Sequence, residues 1–221
     1  MAIEELDLDF APTDLPPEVA RLIQASERRW EQLFARQRSP FPRFLPSDAA
    51  LVFAAMDHVT RHDVVLGRVF CEWGSGLGTA TCLAALLGYE AYGLEIEPEL
   101  AALSRKMARE LGMDVEILCT SYIPEGYDSY AGVGGEDLVR TEALFSPGAL
   151  MDRELHYEGM DVEIAAIDLF FVYPWPDEQE LMQTLFDTVA VEGAILMAYY
   201  SAREICVYRK VRDAGDGCDG G

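Results

Sequence analysis

The residues whose types and spacing can do chemistry are Glu72, Gly74, Ser75, Gly76, Gly78 and Glu95. The run Arg68-Val-Phe-Cys-Glu-Trp-Gly-Ser-Gly-Leu-Gly-Thr79 reads as a buried strand that empties into three glycines and then a helix. Glycine turns the backbone where other residues resist, and it lets a ligand's polar atoms approach the unpaired N–H groups of a helix start. A second strand over residues 90–95 ends in Glu95, about twenty positions beyond the first glycine. In a strand-helix-strand unit this spacing sets a carboxylate at the carboxyl end of the neighbouring parallel strand, within reach of both hydroxyls of a ribose. Glycines that only made a tight turn would explain neither Glu95 nor its spacing, so a nucleoside ligand is expected.

The pattern also says which nucleoside it is not. A dinucleotide fingerprint requires Gly-x-Gly-x-x-Gly, with the last glycine inside the helix. Here that position is Thr79, and Gly78 comes one residue early. No Gly-Lys-Ser/Thr follows the glycines, so a phosphate-gripping loop is unsupported as well.

Glu72-Trp-Gly-Ser-Gly-Leu-Gly78, together with Gly93-Leu-Glu95-Ile-Glu-Pro-Glu-Leu100, resembles motif I and the acidic loop of the class I S-adenosylmethionine-dependent methyltransferases. The resemblance is strong over residues 68–119 and weaker to residue 200. It implies S-adenosylmethionine as cofactor, with Gly74, Ser75, Gly76 and Gly78 around its methionine and ribose portions. Glu72 would face its amino-acid end, Glu95 its ribose and Ile96 its adenine. The family usually places Asp beside the adenine amino group, and the aligned residue here is Ser121. The chemistry is compatible, because a sulfonium cation favours carboxylates and aromatic faces over Lys or Arg.

The exit of the fourth expected strand, Val172-Tyr-Pro-Trp-Pro176, corresponds to the loop beside the transferring methyl group in the resembled family, which assigns Tyr173 and Trp175 to the acceptor pocket. Enzymes that methylate base or amide nitrogens carry Asn/Asp-Pro-Pro-Tyr at this exit, and here the polar acceptor side chain is missing. Pro174-Trp-Pro176 is similar to transfer-RNA guanine-N7 methyltransferases, but their following residues are basic and these are Asp177-Glu-Gln-Glu180, which repel RNA. Phe41-Pro-Arg-Phe-Leu-Pro-Ser47 resembles the entry of small lysine-methylating enzymes of the class. A small molecule or a lysine-bearing protein is therefore the expected acceptor. Two other classes stay open: a nucleoside-binding regulator without catalysis, and a nicotinamide oxidoreductase, which Gly78 and Thr79 disfavour.

These residues need a scaffold, and a doubly wound α/β sheet with helices on both faces is expected. Its parallel strands would run in spatial order 3-2-1-4-5, with the sheet shortened at its C-terminal edge. Residues 1–62 read as an N-terminal helical extension, 63–212 as the cofactor domain with an insertion over 122–161, and 213–221 as a solvated tail. Residues 1–15 carry little periodicity. An amphipathic helix follows Pro16-Pro17, with Val19, Leu22, Ile23, Trp30, Leu33 and Phe34 on one face, and Ser47 is the expected cap of the next helix. The fourth strand is expected from Ile164, Asp177 is expected to cap the helix after it, and Leu138–Leu150 reads as a helix within the insertion.

The chain has 221 residues, half of them hydrophobic, enough for one substantial core. Its net charge of −22 favours cationic partners over nucleic acid and equally suits simple solubility. No apolar run is long enough to span a bilayer and the start Met-Ala-Ile-Glu-Glu-Leu-Asp is acidic, so a cytoplasmic enzyme is expected. Neither the five Cys nor the three His show metal-ligand spacing, and no metal is expected.

Overall fold

The computed structural model describes residues 2–10, 14–35, 41, 44–127, 155–200 and 204–212. Its elements in chain order are β1 (Ile3–Leu6), α1 (Pro17–Phe34), α2 (Ala49–Arg61), β2 (Val69–Trp73), α3 (Thr79–Leu86), β3 (Glu90–Leu94), α4 (Pro98–Leu111), β4 (Glu116–Leu118), β5 (Leu169–Val172), α5 (Gln179–Val189), β6 (Ile195–Tyr200) and β7 (Glu204–Lys210). One sheet holds all seven strands in the order β1-β7-β6-β5-β2-β3-β4. β2 to β6 are mutually parallel, and β7 runs antiparallel to both β6 and β1.

Apolar side chains on successive residues explain why the central strands are buried on both faces. Leu169 and Phe171 of β5, with Ile195 and Met197 of β6, join the cluster made with α1, α2 and α3. Phe170, Val172, Leu196 and Ala198 point the other way, into the cluster with Leu185 and Phe186 of α5. This is the period of two expected of strands, with a hydrophobic layer on each side.

The helix boundaries follow local chemistry. α1 starts at Pro17, where a missing N–H costs nothing, and α4 likewise starts at Pro98 and stops at Gly112 in the left-handed region (φ +67°). Asp48, rather than the expected Ser47, caps α2; its Oδ1 accepts from the N–H groups of Ala50 and Leu51 at 3.1 Å. Asp177 does not cap α5 either: the N-cap position is Glu178, without a side-chain hydrogen bond. Ile164–Ala166 forms one 3₁₀ turn and the strand begins only at Leu169; Asp168 between them accepts the Val69 N–H on its Oδ2 at 2.9 Å.

The acidic N-terminus is not unstructured. Ile3–Leu6 pairs with Val207–Lys210, and Asp187 Oδ1 receives the Ala2 N–H at 2.7 Å and the Lys210 ammonium at 2.8 Å. Among the described residues the chain after β6 supplies one strand, β7, as a shortened C-terminal half implies, yet the sheet continues there, because β1 occupies the next position. Residues 1–62 are thus more than a helical extension: they contribute an edge strand. Its half-polar sequence hides it, since an edge strand facing solvent needs no apolar alternation. The expected helix 138–150 and most of the insertion lie outside the described residues. No described helix is long and apolar enough to cross a membrane.

Candidate functional site

The sheet order reverses direction between β2 and β5, the topological position at which open α/β sheets bind ligands beyond their carboxyl ends. A cavity of about 450 Å³ opens there, bordered by Gly74 after β2, by Glu95, Ile96 and Glu97 after β3, and by Tyr173 to Pro176 after β5. A second, of about 480 Å³, lies toward α1 and α2 and shares Phe44, Leu45, Gly74 and Tyr173 with the first.

The three loop glycines do different work. All have positive φ (+71°, +54° and +71°), so each turn needs the left-handed region. A Cβ on Gly76 would lie 2.3 Å from the Phe44 ring, and one on Gly78 would lie 2.3 Å from Ser104 Oγ. Those two positions serve packing and border neither cavity. A Cβ on Gly74 would meet nothing within 4 Å, and Gly74 borders both cavities. Its backbone is thus open to both.

Glu95 follows directly on the last residue of β3 and is 7% exposed. Its Oε2 accepts from the Gly76 N–H at 2.8 Å and its Oε1 from the Glu97 N–H at 2.9 Å. The carboxylate is thereby held at the glycine turn, and each oxygen keeps a lone pair for a further donor. Burial pushes its pKa up, against the pull of those backbone donors. Beside it, Ile96 is 53% exposed on the cavity wall, an apolar surface suited to cover a flat base.

Glu72, on β2, borders the second cavity and is 6% exposed. Its Oε2 accepts from Thr81 N–H at 2.9 Å and from Thr81 Oγ1 at 2.5 Å, which ties β2 to the first turn of α3. Burial raises its pKa to about 8, outweighing those hydrogen bonds, and the Glu95 charge adds to the rise. Ser75 also borders the second cavity; it is 4% exposed and its hydroxyl has no hydrogen-bond partner among the described residues.

Ser121 borders neither cavity. Its Oγ accepts from the Ile123 N–H at 3.0 Å, closing a local turn, and its neighbour Tyr122 borders the first cavity instead. Tyr173 and Trp175 both border the first cavity, and Tyr173 also packs edge-on against Tyr199 at 4.7 Å. Burial and Tyr199 raise the Tyr173 pKa, so its hydroxyl keeps its proton at neutral pH. Phe41 and Phe44, two aromatics among prolines ahead of a helix, offer in sequence either a substrate mouth or plain packing, and both border the first cavity; Tyr122 and Glu178 on the same wall were missed in the sequence.

No Lys or Arg is among the described residues bordering either cavity. An open glycine, an acid held at the turn, an exposed apolar residue beside it and an unpaired buried hydroxyl fit a nucleoside that carries positive charge.

No family model matches the chain, and no curated protein matches it. Among solved structures, an RNA methyltransferase from Salinibacter ruber in complex with S-adenosyl-L-homocysteine is 18% identical over 79% of this chain and 99% of its own, with TM-score 0.49. A 16S rRNA methyltransferase of T. thermophilus, in complex with AdoMet and guanosine, is 12% identical over 77% of this chain and 44% of its own, with TM-score 0.46. An S-adenosylmethionine-dependent methyltransferase from Clostridium acetobutylicum is 9% identical over 80% of this chain and 56% of its own, with TM-score 0.42. The chain thus spans about half the length of the last two. What decides the architecture is the strand order itself: among the described residues, five adjacent parallel strands about the β2/β5 switch, then the antiparallel β7 and, beyond it, β1 running parallel to the five. The chain has a doubly wound, Rossmann-like α/β fold. Within that fold Gly74 and Glu95 stand at the carboxyl ends of β2 and β3, beside the crevice.

Proposed function

We infer that this chain is an S-adenosylmethionine-dependent methyltransferase whose acceptor is presented beside Tyr173, Pro174 and Trp175. The Glu95 carboxylate, tied to the Gly76 N–H next to the open Gly74 position, is the observation that carries this reading. The cofactor supplies an electrophilic methyl group on a positively charged sulfur.

The residues divide the remaining tasks. Glu95 accepts the ribose hydroxyls, Ile96 covers the adenine, and Gly74 leaves room for the backbone to approach. Glu72, which holds a proton while buried and alone, becomes a counter-charge when a cation is brought beside it. Tyr173 and Trp175 wall the acceptor and exclude water, and Tyr173 in its neutral form offers a donor rather than a base. Methyl transfer is an in-line displacement, in which alignment of the two reactants supplies most of the acceleration, so no acid–base triad is required.

The test is calorimetric titration with S-adenosylmethionine and S-adenosylhomocysteine, with a nicotinamide dinucleotide as control. Micromolar binding of the first two alone is expected. No heat from either, or tighter binding of the dinucleotide, refutes the reading.

A further inference from the structure

The two cavities meet at Tyr173 but open onto opposite layers of the sheet. The second is backed by Ala80, Phe171 and Tyr199 of the layer under α1, α2 and α3, and its Glu72 and Ser75 face the methionine end of the cofactor. The first is backed by Trp73, Val172 and Met182 of the α5 layer. Glu95 and Ile96 stand at its β3 end, where ribose and adenine belong. Its β5 end is the part left for an acceptor.

That end has an apolar floor. Trp73 and Val172 are register partners at the carboxyl ends of β2 and β5, so their side chains leave the sheet on the same face. Trp73 is 2% exposed, and its indole N–H, its one polar atom, donates to the Tyr157 hydroxyl at 3.0 Å within the core. Val172 and Met182 are equally buried. None of the three offers a ligand a charge or a free strong hydrogen-bonding group, so an ionic group set down on them loses water without a partner. A flat ring loses nothing there, since indole, thioether and aliphatic surfaces all pack well against an aromatic face. Neutral polar groups border the floor: the Tyr173 hydroxyl, which keeps its proton, and the Gln179 amide in the first turn of α5. Glu178 on the same wall already has an interaction of its own.

We propose that the methyl acceptor is a neutral, flat aromatic molecule that lies on the floor of Trp73, Val172 and Met182 with its polar edge toward Tyr173 and Gln179. This rests on the methyltransferase reading above. The nucleophile is a lone pair at the edge of the ring, on a ring nitrogen or a ring hydroxyl. That pair forms the new bond to the methyl carbon as the carbon–sulfur bond breaks, and sulfur keeps the bonding pair as a neutral thioether. A ring nitrogen leaves as the methylated cation; a hydroxyl gives its proton to water and leaves as a neutral ether.

The experiment titrates the full chain, saturated with S-adenosylhomocysteine, with four ligands of one bicyclic frame, reading heat and Trp fluorescence at pH 7.5 or about that value. They are 2-naphthol, isoquinoline, the anion 2-naphthoate and the cation 2-naphthylmethylammonium. A neutral ligand is expected to bind about tenfold tighter than either charged one. The tighter of 2-naphthol and isoquinoline, and labelled methyl recovered on its oxygen or nitrogen, tells a hydroxyl acceptor from a ring nitrogen. Gln179→Ala is expected to weaken that ligand about fivefold, the scale of one hydrogen bond, and to leave S-adenosylhomocysteine unchanged. A charged ligand that binds as tightly as the neutral pair, an affinity unmoved by Gln179→Ala, or S-adenosylhomocysteine binding with no response to either neutral ligand overturns the proposal alone. No S-adenosylhomocysteine binding overturns the function as well.

Discussion

Replacing Glu72 by Gln separates what this buried acid costs the fold from what it does for a ligand. In the folded chain burial lifts its pKa to about 8, from an ordinary value of about 4.5. Below about pH 4.5 the carboxyl is protonated in both folded and unfolded chains, and it leaves stability unchanged. As pH rises above that value the unfolded chain ionises while the folded one holds its proton, so stability falls progressively until about pH 8 and is level beyond. The window is about 3.5 pKa units at 1.36 kcal/mol each, a loss of about 5 kcal/mol as a ceiling. Gln keeps the acceptor for the two Thr81 donors and removes the titration. Thermal unfolding of the variant and the parent is expected to coincide at pH 4.5 and to diverge above it. At pH 8 the variant melts higher by about 10 °C, on a scale of about 2–4 °C per kcal/mol for a chain of this size. Its affinity for S-adenosylmethionine is expected to fall about tenfold at the same pH, since Gln cannot become a counter-charge. An equal melting difference at both pH values, or tighter cofactor binding by the variant, refutes the reasoning.

Three further perturbations test the site and the sheet. Gly74→Ala places a Cβ in open space at φ +71°, so unfolding should register a loss of about 1–2 kcal/mol while calorimetry shows cofactor affinity reduced more than tenfold. Glu95→Ala strips two backbone N–H groups of their acceptor, and chemical denaturation is expected to show about 2 kcal/mol lost alongside the loss of cofactor binding; full stability would contradict the hydrogen bonds seen here. Burial pushes the Asp187 carboxyl up, but Lys210 and the Ala2 N–H pull it further down, to a net value below its ordinary one. It therefore stabilises the fold above its unfolded pKa and stops doing so as pH falls through the folded one. Asp187→Asn should cost about 1 kcal/mol at pH 7 and nothing at pH 2, with amide exchange fastest in residues 3–6.

Sequence and structure divide along the range over which the determining physics acts. The glycine turn, Glu95 at the end of the next strand, the starts of α1 and α4 at proline and the doubly buried central strands are written in neighbouring residues. Local backbone chemistry and apolar periodicity are enough to specify them. The assignment of work among the glycines is different: only in the folded chain does Phe44 cover Gly76 and Ser104 crowd Gly78, leaving Gly74 alone open. Ser121 borders neither cavity, and its Oγ accepts from the Ile123 N–H two residues on, a contact that only the folded loop decides. The raised pKa of Glu72 comes from its burial, which no stretch of its own sequence encodes. The N-terminal strand is the clearest case. Ile3-Glu-Glu-Leu6 has no pattern that announces a strand; it becomes one because β7, two hundred residues away, presents an unpaired edge whose backbone groups require partners.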